Sequence, residues 1–162
     1  MPIEITRDRT SELHKAVKAL AKAYVMVGIP GDSPPRADGA KIANSALGFI
    51  NEFGRPEANI PARPHLMPAI EEASDEIRQL MLKGAVKALD LTGADHKQQI
   101  YDTMEAVGLF CVDEIKLKIQ SRLEPKLSAK TLAARVKEGR DGDKPLLDKS
   151  EYIDSFTSIP HA

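Results

Sequence analysis

From Leu66 to Ile119 apolar residues recur in two runs at helical spacing. Leu66, Ile70, Ala73, Ile77, Leu80, Gly84 and Ala88 step by four and three, and Ile100, Met104, Val107, Cys111, Ile115 and Ile119 do the same after "LTGAD". A stripe of that period covers one face of a helix. The first run stops near Thr92-Gly93 after about 25 residues, on the order of 35 Å of helix. Asp95 with Gln98 forms a capping box for the second, which Pro125 ends. Two long helices joined by so short a link pack as an antiparallel hairpin from Leu66 to Leu123, and the remaining segments must be arranged against it.

Those segments supply one more long helix, a shorter one and two strands. Leu13, Ala16, Val17, Leu20 and Tyr24 place an amphipathic helix over about Asp8 to Lys22. "YVMVGIP" is β-branched and apolar, and Gly28 and Pro30 stop it as a short strand. Ile42, Ala46, Phe49, Ile50 and Phe53 fit a helix from Ala40 that Gly54 and Pro56 end. In the tail, a helical turn near Thr131 to Val136 precedes Tyr152, Ile153, Phe156 and Ile159, which lead into a strand that pairs with "YVMVGI". The expected fold class is α+β, a single domain over 1–162 in which the hairpin and the N-terminal helix pack on a small antiparallel sheet. The loops 31–39 and 139–144 are rich in Gly, Pro, Asp and Lys, and they are expected to stay mobile until assembly orders them.

Between the second helix and the hairpin lies "NEFGRPEANIPARPHLMPAIEE", with four prolines in a dozen or so positions. Each residue before a proline is pushed out of the α region, so Ile60, Arg63 and Met67 favour extended geometry. Ile60 to Pro64 is therefore a semi-rigid strut. Pro68 fits the first turn of the next helix, where its missing N–H costs nothing.

Composition narrows the function classes. Aromatics are only 4% and Trp is absent, so the core is built from aliphatic side chains. A formal net charge of -1 gives no overall drive toward DNA or acidic membranes. Cys111, the only cysteine, has no internal partner, which points to a reducing compartment. No run approaches the roughly 20 apolar residues of a membrane helix, and "MPIEITRDRT" lacks a signal peptide's apolar centre. Synthesis in a cytoplasm and no membrane association follow as expectations.

Reactive constellations are not evident in the sequence. His14, His65, His96 and His161 are scattered, with no metal-ligand spacing. Cys111 sits in an apolar helical pattern without a nearby histidine, as a core cysteine does. "GIPG" is too short for a phosphate loop. Glu71-Glu72 and Asp75-Glu76 complement a helix dipole more simply than they form a catalytic pair. No catalytic, cofactor-binding or metal site is expected, and no enzyme activity. The alternative is a small nucleic-acid-binding module using the basic stretch 116–130, with Lys116, Lys118, Arg122, Lys126 and Lys130, although no aromatics interleave for base stacking.

"IANSALGFINEFGRPEANIPARPHLMPAIEE" resembles the signature of the bacteriophage virion morphogenesis and tail-completion (neck) proteins. That pattern is a helix ending Asn-Glu-Phe-Gly, a short loop, Ile-Pro-x-Arg-Pro-Phe-Leu and a long helix. Its positions here are Asn51, Glu52, Phe53, Gly54, Ile60, Pro61, Arg63, Pro64 and Leu66, with His65 standing where the family usually has Phe. "VMVGIP" resembles the family's early strand. "LSAKTLAARVKEGRDGDKPLLDKSEYIDSFTSI" is similar to its closing pattern, with Asp148-Lys149-Ser150 in place of a usual Asp-Thr-Gly. The resemblance runs in order from Tyr24 onward.

The resemblance implies a virion structural part at the neck or tail, without catalysis and without cofactors. Such a part would be a homo-oligomeric ring, sixfold to match a tail tube with twelvefold the alternative. It would sit between head-completion and tail-terminator or tail-tube proteins, with DNA passing through. The subunit interface is expected at Asn51, Glu52, Phe53, Gly54, Ile60, Pro61, Arg63 and Pro64, meeting the neighbour's tail at Pro145, Leu146 and Asp148. Arg63 could there grip a carboxylate with both arms of its guanidinium. A stiff segment loses little conformational entropy on docking, which suits it to such a contact.

Overall fold

A computed structural model of the chain describes residues 8–32, 36, 39–90, 95–121, 123–140, 142–147 and 150–162. Among the described residues the order is α1 (Thr10–Leu20), β1 (Tyr24–Gly28), α2 (Asn44–Phe53), a 3-10 turn (Pro56–Ala58), α3 (Leu66–Glu72), α4 (Ser74–Leu89), α5 (His96–Gln120), α6 (Ala129–Lys137), α7 (Glu151–Asp154) and β2 (Thr157–His161). The architecture is α+β, as the periodicities predict.

The hairpin forms, with one difference. The first apolar run is two helices, α3 and α4, separated at Ala73, whose ψ of 7° departs from the helical value. The bend lets Ala69 and Ala73 both remain buried while α4 follows α5. Gly84 sets how closely the two helices approach, since a Cβ there would lie 2.1 Å from a Thr103 methyl carbon. The expected stop at Thr92-Gly93 lies outside the described residues. Asp95 caps α5 by accepting from the Lys97 N–H at 2.9 Å, but Gln98 does not complete the capping box. Its amide donates instead to Asp102, one turn along the helix.

The strands β1 and β2 pair antiparallel, from Tyr24 opposite His161 to Gly28 opposite Thr157. This two-stranded sheet lies across the middle of α5. A Cβ on Gly108 would stand 2.6 Å from that of Ser158 and 2.8 Å from a Val25 methyl, so the helix admits the sheet only because it has no side chain there. The main core gathers Ala69, Val112, Ile115 and Ile119 with Tyr152, Ile153 and Phe156, bringing the C-terminal segment onto the hairpin. A second cluster, Ala88, Ile100 and Met104, receives Ala19, Leu20 and Val25 from α1 and β1. Leu13 and Val17, read as core-facing, are instead largely exposed, because α1 rests on the hairpin through its C-terminal end.

Of the two loops expected to be mobile, 33–35, 37–38 and 141 lie outside the described residues. The rest of the second loop is tethered. Arg135 donates to the carbonyl oxygens of Gly142 and Lys144, and the Lys144 ammonium donates to that of Gln120.

Candidate functional site

The strut owes its shape to the residues on either side of it. Gly54 ends α2 at φ 76°, and a Cβ there would sit 2.7 Å from the Ala62 nitrogen, so the chain can fold back over the helix end only at glycine. After the 3-10 turn, Asn59 takes a left-handed conformation, and Arg55 and Ile60 exchange backbone hydrogen bonds at 2.8 and 3.0 Å. The chain then runs without regular structure from Pro61 to His65 past the end of α2, where the Arg63 N–H donates to the Asn51 carbonyl at 2.7 Å.

Glu52 secures the far end. Its carboxylate accepts the backbone N–H groups of His65, Leu66 and Met67 at 2.9, 3.0 and 3.0 Å. The first N–H groups of a helix have no partner within it, and here a side chain from α2 supplies one for α3. Burial pushes the Glu52 carboxyl up, but the hydrogen bonds from the three N–H groups work against it, and the pKa lies below the usual range.

His65 is enclosed, with 1% of its surface exposed. Its Nδ1 lies 2.8 Å from the Arg63 carbonyl, which can only accept, so Nδ1 carries the proton. Nε2 is then the acceptor for the Tyr152 hydroxyl at 2.7 Å. Burial drives the imidazole pKa down, against the pull of the Arg63 carbonyl and Glu52, in keeping with a neutral ring. Tyr152 and Phe156 both meet the ring edge-on at 5.8 Å between centroids. The imidazole thus occupies an aromatic slot and adds two hydrogen bonds to it. The Asn51 side chain bonds the Tyr152 hydroxyl, whose pKa is raised chiefly by burial.

Arg63 braces the strut from outside. Its Nε donates to the Pro125 carbonyl at 2.7 Å and its Nη2 to that of Lys126 at 3.2 Å, joining the strut to the segment after α5. Within one chain the guanidinium therefore grips two carbonyls rather than a carboxylate.

The expected interface residues divide accordingly. Asn51, Glu52 and Pro145 are buried; Gly54, Ile60, Arg63 and Leu146 are partly so; Phe53, Pro61 and Pro64 are exposed; Asp148 lies outside the described residues. Asn51, Arg63 and Leu146 line one cavity of about 520 Å³, so the base of the strut and Leu146 of the tail face the same space within a single chain. Sequence reasoning assigned Phe49 to a helical stripe and gave Met67 no role beyond preceding a proline. Phe49 is 66% exposed and packs against Phe53, itself 63% exposed, at 4.8 Å between ring centroids. Their spacing of four residues on an amphipathic helix was the available signal. Beside the pair, Met67 edges a mostly apolar groove of about 260 Å³ between α2 and α3.

The basic stretch 116–130 is spread over α5, the following segment and α6. Lys118 pairs with Glu72, Lys126 and Lys130 are exposed, and Arg122 lies outside the described residues. No helix among the described residues is long and apolar enough to cross a membrane. Compared with family models, with curated proteins and with solved structures, the chain matches none.

Proposed function

We propose that this chain is a structural protein of a phage virion, completing the tail or joining it to the head as a closed ring of six copies, with twelve the alternative. The observation that carries this reading is the Phe49–Phe53 pair, two exposed aromatic rings packed on each other beside a strut fixed by Gly54, Glu52 and Arg63. Exposed aromatics on a rigid support are what tight protein contacts are built from, because they bury large area with little loss of freedom. Phe53, Pro61 and Pro64 would face a neighbouring subunit, while Asn51 and Glu52 act from behind by holding the segment in place. Head-completion and tail-terminator or tail-tube proteins would flank the ring. The near-neutral net charge suits a channel that DNA must traverse without sticking.

The double variant Phe49→Ser/Phe53→Ser tests the assignment. Its circular dichroism and melting should stay close to those of the parent, since both rings lie mostly outside the core. Self-association measured by sedimentation should weaken at least tenfold. Undiminished association would remove the aromatic pair from the interface.

A further inference from the structure

Among the described residues β1 and β2 form a sheet of two strands, so each carries a free edge. Pro160 fixes which backbone groups face those edges. It stands opposite Val25 and has no N–H, so this pair is not one that exchanges hydrogen bonds. The bonds between the strands are made by the pairs on either side, Tyr24 with His161 and Met26 with Ile159. The N–H and C=O groups of Val25 and Val27 therefore point away from β2, and no backbone group outside the sheet takes them up among the described residues.

The two edges are unequal. On β2 the outward positions are Ser158 and Pro160, and the proline blunts that edge because it offers no donor. On β1 both outward positions carry a donor and an acceptor, and the strand Tyr24–Gly28 contains neither a charge nor a proline. An edge of that kind is a template for another strand. Val25 and Val27 turn their side chains onto the two apolar clusters, whereas Tyr24, Met26 and Ile159 are exposed on the opposite face of the sheet. Tyr24 stacks on His161 at 4.6 Å between ring centroids. Along the same strand Met26, Gly28, Ile29 and Ile159 border a hollow of about 330 Å³.

We propose that the free edge of β1 pairs antiparallel with the β1 edge of a second copy, across a twofold axis at Met26. Val25 of each copy then exchanges both hydrogen bonds with Val27 of the other, so every outward group of the two valines finds a partner. Tyr24 falls opposite Gly28 of the other copy, where the hollow leaves room beside its ring. Met26 meets its own counterpart, and no like charges oppose each other along the junction. One strand thus satisfies both sides of the contact, as a twofold interface requires. The contact does not rest on the ring reading, since the strut takes no part in it. A ring that also used it would be joined back to back with a second ring.

Sedimentation of the full chain in the Phe49→Ser/Phe53→Ser background, where the proposed ring contact is removed, tests the pairing. A dimer of 2 × 17.7, or about 35 kDa, should appear as concentration rises. Met26→Lys and Met26→Glu should each weaken it about fivefold or more, because each sets like charges opposite one another. Mixed, the two should recover it as a one-to-one heterodimer, the signature of a contact that joins position 26 to itself. On oxidation Met26→Cys should give a covalent dimer, since opposed residues at such a position have Cα atoms about 4.5 Å apart. Tyr24→Cys should not, because the two copies of that position lie about 13 Å apart along the strands. A background variant that stays at 17.7 kDa at every concentration, a dimer indifferent to Met26→Lys, no recovery on mixing, or equal cross-linking of Tyr24→Cys overturns the pairing and leaves the ring standing. A parent chain that stops at the dimer, and loses it with Met26→Lys, upholds the pairing and overturns the ring.

Discussion

The Tyr152 hydroxyl donates to Nε2 of His65 at 2.7 Å, across 87 positions of sequence. The bond ties α7, and through it β2, to the base of the strut. Phe156 closes the same cluster from the side. The strut's position is thus set by the C-terminal segment as well as by α2, and damage to that segment should reach the proposed interface.

Replacing Glu52 with Gln removes the charge that three N–H groups share and puts a donor where one of them points. The expected loss of stability is about 1–3 kcal/mol by denaturant unfolding. An unchanged midpoint would show that the carboxylate does not hold α3.

Acidification should destabilise the fold in two stages. His65 has a folded pKa below its ordinary value of 6.5, so the unfolded chain binds the extra proton first; its contribution is complete above that value and shrinks as pH falls below it. Glu52 has a folded pKa below 4.5, so its contribution is complete above that value and is lost as pH drops through the folded pKa. Melting temperature should fall from pH 7 toward pH 5, and fall further below pH 4.5. His65→Phe should flatten the first stage and keep the second; an unaltered slope between pH 7 and 5 would contradict the role of the imidazole.

Gly54→Ala forces a side chain into a backbone region used almost only by glycine and against the Ala62 nitrogen. Strain of that kind is of order 1–3 kcal/mol. Gly108→Val should cost about as much or more, by overpacking against Ser158 and Val25 where the sheet crosses α5. Thermal unfolding checks both, and a neutral outcome at either position would mean that the close approach relaxes freely.

Arg63→Ala frees the segment around Pro125 from the strut. Amide exchange should quicken at Ala62, Arg63 and His65 and around Lys126, while the centre of α5 keeps its protection. Unchanged exchange in the strut would mean that Glu52 and Gly54 suffice to hold it.

Much of the fold was legible because its signals are local. The stripe of Ile100 to Ile119 has one reading, and the alternation near each end of the chain pairs β1 with β2. The bend at Ala73 was not legible, since no proline or glycine marks it. The partners of Glu52 were hidden for another reason: they lie 13 to 15 residues away and are backbone groups, which leave no trace in side-chain pattern. For the same reason Arg63, read as a hand for a neighbour's carboxylate, grips carbonyls of its own chain. Phe53 was legible from its motif, whereas its pairing with Phe49 depends on which face of α2 the core leaves uncovered.

The most direct test of the ring is the mass of the purified protein in solution over a wide concentration range. The subunit is 17.7 kDa, so six copies weigh 6 × 17.7, or about 106 kDa, and twelve weigh about 212 kDa. The account predicts that rising concentration populates one closed species at the first of these masses, with the second as the alternative. A protein that remains at 17.7 kDa at every concentration, or that grows into open polymers without a preferred size, would contradict it.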